Sequence, residues 1–425
     1  MKKLFCLFVA AAMVATGAIP APRYLPEMPA VSGAYQILPC GTVRAHDEAG
    51  AFYAAKTLVS GRMPSGRMLA DAPKYAWRGL HVDVSRHFFE PEVLCRLMDV
   101  MAELKLNRLH LHLTDGPGWR LEIKRYPRLT SEGAWRKKLG PGHWEWKDFD
   151  IGSSYPELYG GFYTQKDMRA LIAYAAERHI VIVPEIDVPG HSYAALVAYP
   201  ELSMLPQGTP VKECQVGKDV LDVRKPAVLA FTQGVLDEVM QIFPPGNPIH
   251  LGGDEVDTRL ISREAQRTYM QALVDYVAAR GYQPITWDEA ACNGVKGQWV
   301  MLWRPEFAAQ IMSAGYPVIL SPCSHFYFDY PQSEADFPHP GGGHIISTEM
   351  VFTYKAPRSP LILGMQANLW SEHIRTPQQL FYMAFPRALA LAERAWGSPP
   401  RSYESFLQSA DAWMSRKEMM LQRLP

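Results

Sequence analysis

Pro248-Ile249-His250-Leu251-Gly252-Gly253-Asp254-Glu255-Val256 is a short apolar strand that runs into two glycines and then presents two adjacent carboxylates. Two acids side by side at a strand end repel each other, so their pKa values should separate and leave one able to hold a proton near neutral pH. Taken alone, the pair reads more readily as a helix start. Asp254 would be the cap and Glu255 would lie in the first turn, where carboxylates favour the positive end of the helix dipole. What decides between these readings is whether the same strand-then-polar arrangement recurs along the chain.

It recurs from Tyr75 onward, as a short apolar β-rich run, a polar loop and an amphipathic helix. Strands are expected at Ala76–Val84, Asn107–Leu113, Ile180–Pro184, Pro248–Gly252, Gln283–Trp287, Gln298–Trp303, Tyr316–Ser321 and Leu361–Gln366. Helical patterns lie between them at Pro91–Lys105, Lys166–Arg178, Pro226–Phe243, Leu260–Arg280 and Gln378–Arg394. Eight such units predict an α/β fold, a (β/α)8 TIM barrel whose active site sits at the C-terminal strand ends. A doubly wound open sheet is the alternative, but its Gly-x-Gly-x-x-Gly turn is not in the sequence.

The barrel reading requires polar and aromatic residues just past each strand. They stand there: Asp83 and Arg86, then Asp115, then Glu185, Asp187 and His191, then Asp254-Glu255. The series continues with Trp287-Asp288-Glu289, Trp303-Arg304, Tyr327 with Asp329, and Trp370 with Glu372. A single polar strand end is ordinary; eight in succession describe one site.

The chain has 425 residues with 43 basic and 43 acidic side chains, and 48% of it is hydrophobic. That is the composition of a folded globular protein, and no Lys/Arg run tracks phosphates, so no nucleic-acid partner is expected. Met1-Lys2-Lys3, the apolar run Leu4–Val14 and the small residues up to Ala18 form the three-part pattern of a secretory signal, too short for a membrane span. With residues 1–18 removed as a signal, the protein is expected to be exported, periplasmic or secreted, with two more acidic than basic residues. Cys40, Cys95, Cys214, Cys292 and Cys323 remain, widely spaced and with no Cys-x-x-Cys pair, which argues against a zinc module or a disulfide scaffold. Residues 19–74 read as a short, truncated α/β segment with one helical pattern, Glu48–Leu58; residues 75–400 read as the barrel and 401–425 as a helical extension packing on it.

Carboxylates mixed with Trp and Tyr, without a phosphate loop, suit a sugar: aromatic faces cover the ring while acids and Arg bind its hydroxyls. Paired acids then suggest glycoside hydrolysis, in which two carboxyls ordinarily face each other across the scissile bond, about 5 Å or more apart. Sequence neighbours do not easily reach that placement. Glu255 can protonate the leaving oxygen, while Asp254 must serve a group beside the anomeric carbon, as a neighbouring-group mechanism would have it.

At these residues the chain resembles the family 20 glycoside hydrolases, the β-N-acetylhexosaminidases. The resemblance runs from Trp77 to about Trp396 on six motifs. They are Arg78-Gly79-Leu80-His81-Val82-Asp83-Val84-Ser85-Arg86, His110-Leu111-His112-Leu113-Thr114-Asp115 with Gly118-Trp119-Arg120, Gly160-Gly161-Phe162-Tyr163-Thr164, Pro184-Glu185-Ile186-Asp187-Val188-Pro189-Gly190-His191, His250-Leu251-Gly252-Gly253-Asp254-Glu255, and Gln366-Ala367-Asn368-Leu369-Trp370-Ser371-Glu372.

The resemblance implies an exo-acting enzyme that removes terminal β-linked GlcNAc or GalNAc from glycans with retention, the substrate's own 2-acetamido oxygen being the nucleophile. It implies no metal and no cofactor. Glu255 matches the general acid and later base, Asp254 the group that orients the acetamido N–H, and Tyr327 the hydroxyl bonded to the acetamido oxygen. Trp287, Trp303 and Trp370 match the aromatic walls. Arg78, Asp329 and Glu372 match the groups that hold ring hydroxyls, with Asp115 and His191 as polar support behind Glu255, while Trp77 and Trp396 are read as barrel packing.

Two other readings are weighed beside this one. His110-x-His112, with His191, Asp187 and Asp254 as partners, is reminiscent of barrel metallohydrolases. A sugar-binding protein on a catalytically dead barrel is the second, and intact Asp254, Glu255 and Tyr327 speak against it. The chain departs from the family's pattern ahead of the barrel, where members commonly carry a longer α/β domain and residues 19–74 keep only something like its last helix. The loop Pro331–His344, with Gly341-Gly342-Gly343, is expected to be mobile and to shape the region beyond the terminal sugar.

Overall fold

The structure is a computed structural model and describes residues 23–24, 31–61, 66–140, 149–206, 209, 211, 219–336, 344–397 and 401–421. The expected signal segment, Cys214 and the three loop glycines lie outside the described residues. The chain divides into two compact units between Ala76 and Trp77.

In the second unit eight parallel strands close into a barrel. They are β1 (Trp77–Asp83), β2 (Arg108–His112), β3 (Val181–Glu185), β4 (Pro248–His250), β5 (Gln283–Trp287), β6 (Trp299–Leu302), β7 (Val318–Leu320) and β8 (Ile362–Leu369), paired in chain order with β8 returning to β1. The eighth runs three residues past its expected end.

Side chains alternate between the two faces of a strand. In β1 this puts Trp77, Gly79, His81 and Asp83 on one face and Arg78, Leu80 and Val82 on the other. Trp77 packs in one cluster with Val183, Ile285, Trp287, Met301 and Ile319, so its face is the barrel interior. Following that face around the barrel, His81 is in register with His110, Asp83 with His112, and Glu185 with both His112 and His250. The barrel is therefore apolar in its lower layer and ionic toward the C-terminal strand ends.

Amphipathic helices return the chain at Pro91–Glu103, Gln165–Ala176, Pro226–Ile242 and Arg263–Ala278. Their starts follow from local chemistry. Thr164 and Asp167 form a reciprocal capping box, the Ser262 hydroxyl accepts the Ala265 N–H, and Pro91 and Pro226 sit where no N–H is needed. The expected helix Gln378–Arg394 is in fact two, Pro377–Ala384 and Arg387–Trp396, because Pro386 has no N–H with which to continue the ladder. A last helix, Tyr403–Leu421, lays Phe406 4.7 Å from Phe352 and Trp413 5.4 Å from Phe385.

The first unit has a sheet accompanying the helix. It contains a four-stranded sheet in the order Arg23–Tyr24, Val43–Ala45, Tyr35–Ile37, Leu69–Asp71, beside the helix Glu48–Val59. The Tyr35 hydroxyl ties sheet to helix, 2.6 Å from the Thr57 hydroxyl, and donates to Asp71. Strands of two or three residues are too short to leave an alternation signal.

Between β2 and β3 the chain makes a long excursion that carries Asp115, and one buried cation fastens it. Arg120 is fully buried and donates to the carbonyls of Val84 and Ser85 after β1 and of Ala134 and Gly161 in the excursion, at 2.6–3.2 Å. Replacing it with methionine keeps the bulk but leaves these carbonyls short of a donor. Arg120→Met should lower stability by about 3 kcal/mol or more, measured by urea unfolding followed through tryptophan fluorescence.

Candidate active site

After β4 the chain makes a left-handed turn. Gly252 and Gly253 have φ of +67° and +95°, and Glu255 has +51°. A Cβ on Gly252 would stand 1.6 Å from Asp187 Oδ1, so only glycine lets the backbone close on that carboxyl, which accepts the Gly253 N–H at 3.3 Å. The next helix begins only at Arg263, capped by Ser262. Asp254 and Glu255 are therefore not a helix cap; they project where the barrel opens.

The two carboxyls have different surroundings. The Glu255 side chain is 45% exposed and that of Asp254 only 12%. His191 stands by both, with Nε2 3.4 Å from Glu255 Oε2 and 3.7 Å from Asp254 Oδ2, and its Nδ1 lies 3.1 Å from Asp115 Oδ2. Burial alone would strip the proton from His191, but Asp115 and Asp187 more than offset it and hold the imidazole charged well above its ordinary range. The hydrogen bond from His191, with its charge, then holds Glu255 below the usual glutamate range. Asp254 goes the other way: burial, then Asp187 and Glu255, push it well above the usual range against the pull of His191. The adjacent acids do separate, but in the unliganded protein Asp254 is the one that keeps a proton. Burial beside Asp187 raises Asp254, and His191, arriving from the loop after β3, lowers Glu255.

Aromatic rings enclose the space beside Asp254. Tyr327 stacks on Trp303 at 6.2 Å, Trp370 lies 6.0 Å from Tyr327, and Trp287 lies 5.9 Å below Trp370. Polar tethers fix two of the indoles, since Trp303 Nε1 donates to Glu289 at 3.0 Å and Trp287 Nε1 to Glu185 at 2.8 Å. Burial pushes the Tyr327 hydroxyl well above its ordinary value, with nearby Cys323, Asp254 and Asp329 adding, so it is a phenol able to donate. The segment that carries it is pinned by Phe328 N–H on the Asn368 carbonyl and by buried Arg387, which donates to the carbonyls of Phe328, Tyr330 and Ile346.

The structure corrects the place of the arginine. Arg78 is near the lower end of β1 and on the outward face, where its Nε donates to the Lys105 carbonyl at 2.8 Å and its guanidinium lies 5.1 Å over Trp396. It is about 16 Å of strand from Asp83 and cannot reach a ligand at the strand ends. Arg86 is the guanidinium there. It lies 2.7 Å from Asp115, 3.4 Å from Asp83, 3.8 Å from Glu372 and 4.9 Å over the Trp370 ring. Glu372 is pushed up to about 7 by burial, against Arg86 and with Asp83 and Asp329 adding. Asp329 is itself buried at the same rim. Trp77 lies in the lower interior cluster, and Trp396 packs outside the barrel under Arg78 and Lys105.

Residues 75–399 match the model of the glycosyl hydrolase family 20 catalytic domain. The chain belongs to glycosyl hydrolase family 20. It is 34% identical over 392 residues to a β-hexosaminidase of Porphyromonas gingivalis and 34% identical over 378 residues to one of Akkermansia muciniphila, matches that cover 82% and 81% of the chain. The chain spans about half the length of the first relative, 48%, against 73% of the second. Among solved structures it is similar to a family 20 exo-β-N-acetylglucosaminidase of Vibrio harveyi, with a TM-score of 0.81 at 28% identity over 95% of this chain and 68% of that one. It is also similar to a family 20 β-N-acetylhexosaminidase of Streptomyces coelicolor, with a TM-score of 0.75 at 30% identity, covering 91% and 81%.

In this family 20 chain the residues of the metal reading do not converge on one point. His110 groups with Glu185 and His250, His112 with Asp115 and Asp187, and His191 with Asp187 and Asp254, each set having ligand atoms within 4.8 Å of one another. Much of that capacity is already engaged: His112 lies 2.6 Å from Glu185 by Nδ1 and 2.8 Å from Asp115 by Nε2. Arg86, Glu185 and Asp187 stood out in the sequence as strand-end residues without a role. Alternation along β1 turns Arg78 outward and along β3 turns Glu185 inward, while Arg86 lies three residues past the end of β1.

If His191 holds Glu255 low, removing the imidazole should release it. In the unliganded wild type the Glu255 carboxyl should titrate below the ordinary glutamate midpoint of about 4.3, and in His191→Gln at or above it. Carboxyl 13C NMR over a pH series reads this directly, and an unmoved midpoint would sink the assignment.

Proposed function

We propose that the chain is an exo-acting, retaining β-N-acetylhexosaminidase that uses its substrate's 2-acetamido group as nucleophile. The observation that carries this reading is the different environment of two adjacent acids, one buried beside an aromatic box and one half exposed beside an imidazolium. The names of its relatives support the sugar.

The geometry supports the following steps. The acetamido methyl enters the box of Trp287, Trp303 and Trp370, and the Tyr327 hydroxyl donates to the acetamido oxygen. Asp254 passes its proton through solvent to Glu255 as it receives the acetamido N–H, a bond that favours its ionised form and lets the carboxylate offset the positive charge growing on the oxazolinium ring. Seating the sugar expels water from Glu255, which raises its proton affinity against His191. Glu255 then gives its proton to the glycosidic oxygen as the acetamido oxygen bonds to the anomeric carbon and the aglycone leaves. In the second step the Glu255 carboxylate takes a proton from water as that water attacks the anomeric carbon and reopens the ring, with net retention. Arg86, Asp329 and Glu372 hold ring hydroxyls at the rim.

The basic start and apolar run of residues 1–18 support export, which cell fractionation followed by N-terminal sequencing would test. Among the described residues no helix is long and apolar enough to cross a membrane.

A panel of aryl β-glycosides tests the activity. The N-acetyl-glucosaminide or N-acetyl-galactosaminide should be cleaved and the 2-hydroxy glucoside should not; cleavage of both at similar rates rejects the mechanism. Glu255→Gln should lose roughly 10²–10⁴-fold in kcat on a substrate with a poor leaving group. A thiazoline mimic of the oxazolinium should inhibit strongly. A chelator should leave the rate unchanged, and loss of activity restored by metal would favour the metallohydrolase. Saturable sugar binding without turnover would instead establish the dead barrel.

A further inference from the structure

Below the aromatic box lies a buried carboxylate for which the steps above have no use. Glu185, at the end of β3, is fully buried, and both its oxygens are engaged. Oε1 accepts the Trp287 indole N–H at 2.8 Å and is 2.9 Å from His250 Nδ1. Oε2 is 2.6 Å from His112 Nδ1, 3.1 Å from His110 Nε2 and 3.9 Å from His81 Nε2. Burial would neutralise this acid, but His250, His112 and His110 hold it ionised well below the usual range. His112 is in turn held charged well above its ordinary range by Glu185 and Asp115, against its own burial.

From His112 the contacts run on without a gap. His112 Nε2 is 2.8 Å from Asp115 Oδ2, which is 3.1 Å from His191 Nδ1, and His191 Nε2 is 3.4 Å from Glu255 Oε2. Carboxylates and imidazoles thus alternate from the barrel axis to the half-exposed acid. The second branch is a single bond, from Glu185 to the indole that floors the box.

We propose that Glu185 is a positioning residue shared by both halves of the site, holding the acetamido-pocket floor through Trp287 and orienting the imidazole beside Glu255 through His112 and Asp115. The assignment of the pocket rests on the N-acetylhexosaminidase reading; the contacts do not.

Neutralising Glu185 has a definite sign. A neutral side chain there no longer holds His112 charged and in place, so Asp115 keeps only two of its three cations, Arg86 and His191, and is less firmly set against the imidazole. His191 is already charged where Glu255 titrates, so it is the placement that changes, and a looser imidazole lets the Glu255 midpoint rise. The other groups that face these two carboxyls, His81, His110, His250 and Asp187 around Glu185, and Asp254 and Arg86 around Glu255, stay in place in the variant.

Glu185→Gln should therefore move the Glu255 carboxyl midpoint, and with it the alkaline limb of the kcat/KM profile, up by roughly half a pH unit. It should also loosen the pocket floor. An added methylene costs a hydrophobic pocket roughly 10–200-fold, and the variant's preference for N-acetyl over N-propionyl substrate should fall about tenfold from the wild type's. Carboxyl 13C NMR reads the first effect without turnover. If the wild type cleaves no glycoside, the activity reading fails while the NMR midpoint still decides this inference. A folded variant with the wild-type midpoint and the wild-type acyl ratio overturns it. If Glu185→Gln does not fold, His112→Gln takes its place, with the same upward shift expected and an unmoved midpoint again overturning the inference.

Discussion

The Asp115 carboxylate is the contact on which the catalytic end of the barrel depends. One oxygen meets Arg86 from beyond β1, His112 from β2 and His191 from the loop after β3, all within 3.1 Å. Three donors from three segments converge on one buried anion, so none can leave without stranding charge in a low-dielectric interior, where the penalty is several kcal/mol. Against the effect of its burial, Arg86, His191 and His112 hold Asp115 ionised well below the usual range. The position of His191, and with it the inequality of Asp254 and Glu255, follows from this convergence.

The eight strands were legible because parallel barrel strands are short, mostly apolar runs bounded by polar loops, and each candidate fell on an observed strand within a few residues. The site was legible to the extent that it lies at strand ends. What the one-dimensional pattern does not carry is side-chain direction and the company of residues distant in sequence. Arg78 sits within a long family-like motif, and only its even position beside Trp77 reveals that it faces outward. Asp254 and Glu255 are symmetric as neighbours in sequence, and their asymmetry comes from unequal burial and from a histidine more than sixty positions earlier.

Similar reasons explain the departures outside the site. The apolar pattern that seemed to be a single helix from Gln378 continues in phase across Pro386, although the backbone does not. The short strands of the first unit gain their order from pairing with one another, Tyr35 with both Ala45 and Asp71, not from a pattern within any one of them.

Glu255 and His191 share one further property: φ is +51° for the first and +52° for the second. A side chain in left-handed backbone costs roughly 1–2 kcal/mol, which glycine would not incur and asparagine would incur less. The 3.4 Å contact between Glu255 and its imidazole thus carries backbone strain at both ends. His191 is fixed by Asp115 all the same, whereas Glu255 lies half exposed, so a lineage released from selection for hydrolysis would gain stability by drifting to glycine at Glu255, and in a barrel of this kind decay of the chemistry and hardening of the scaffold run in the same direction.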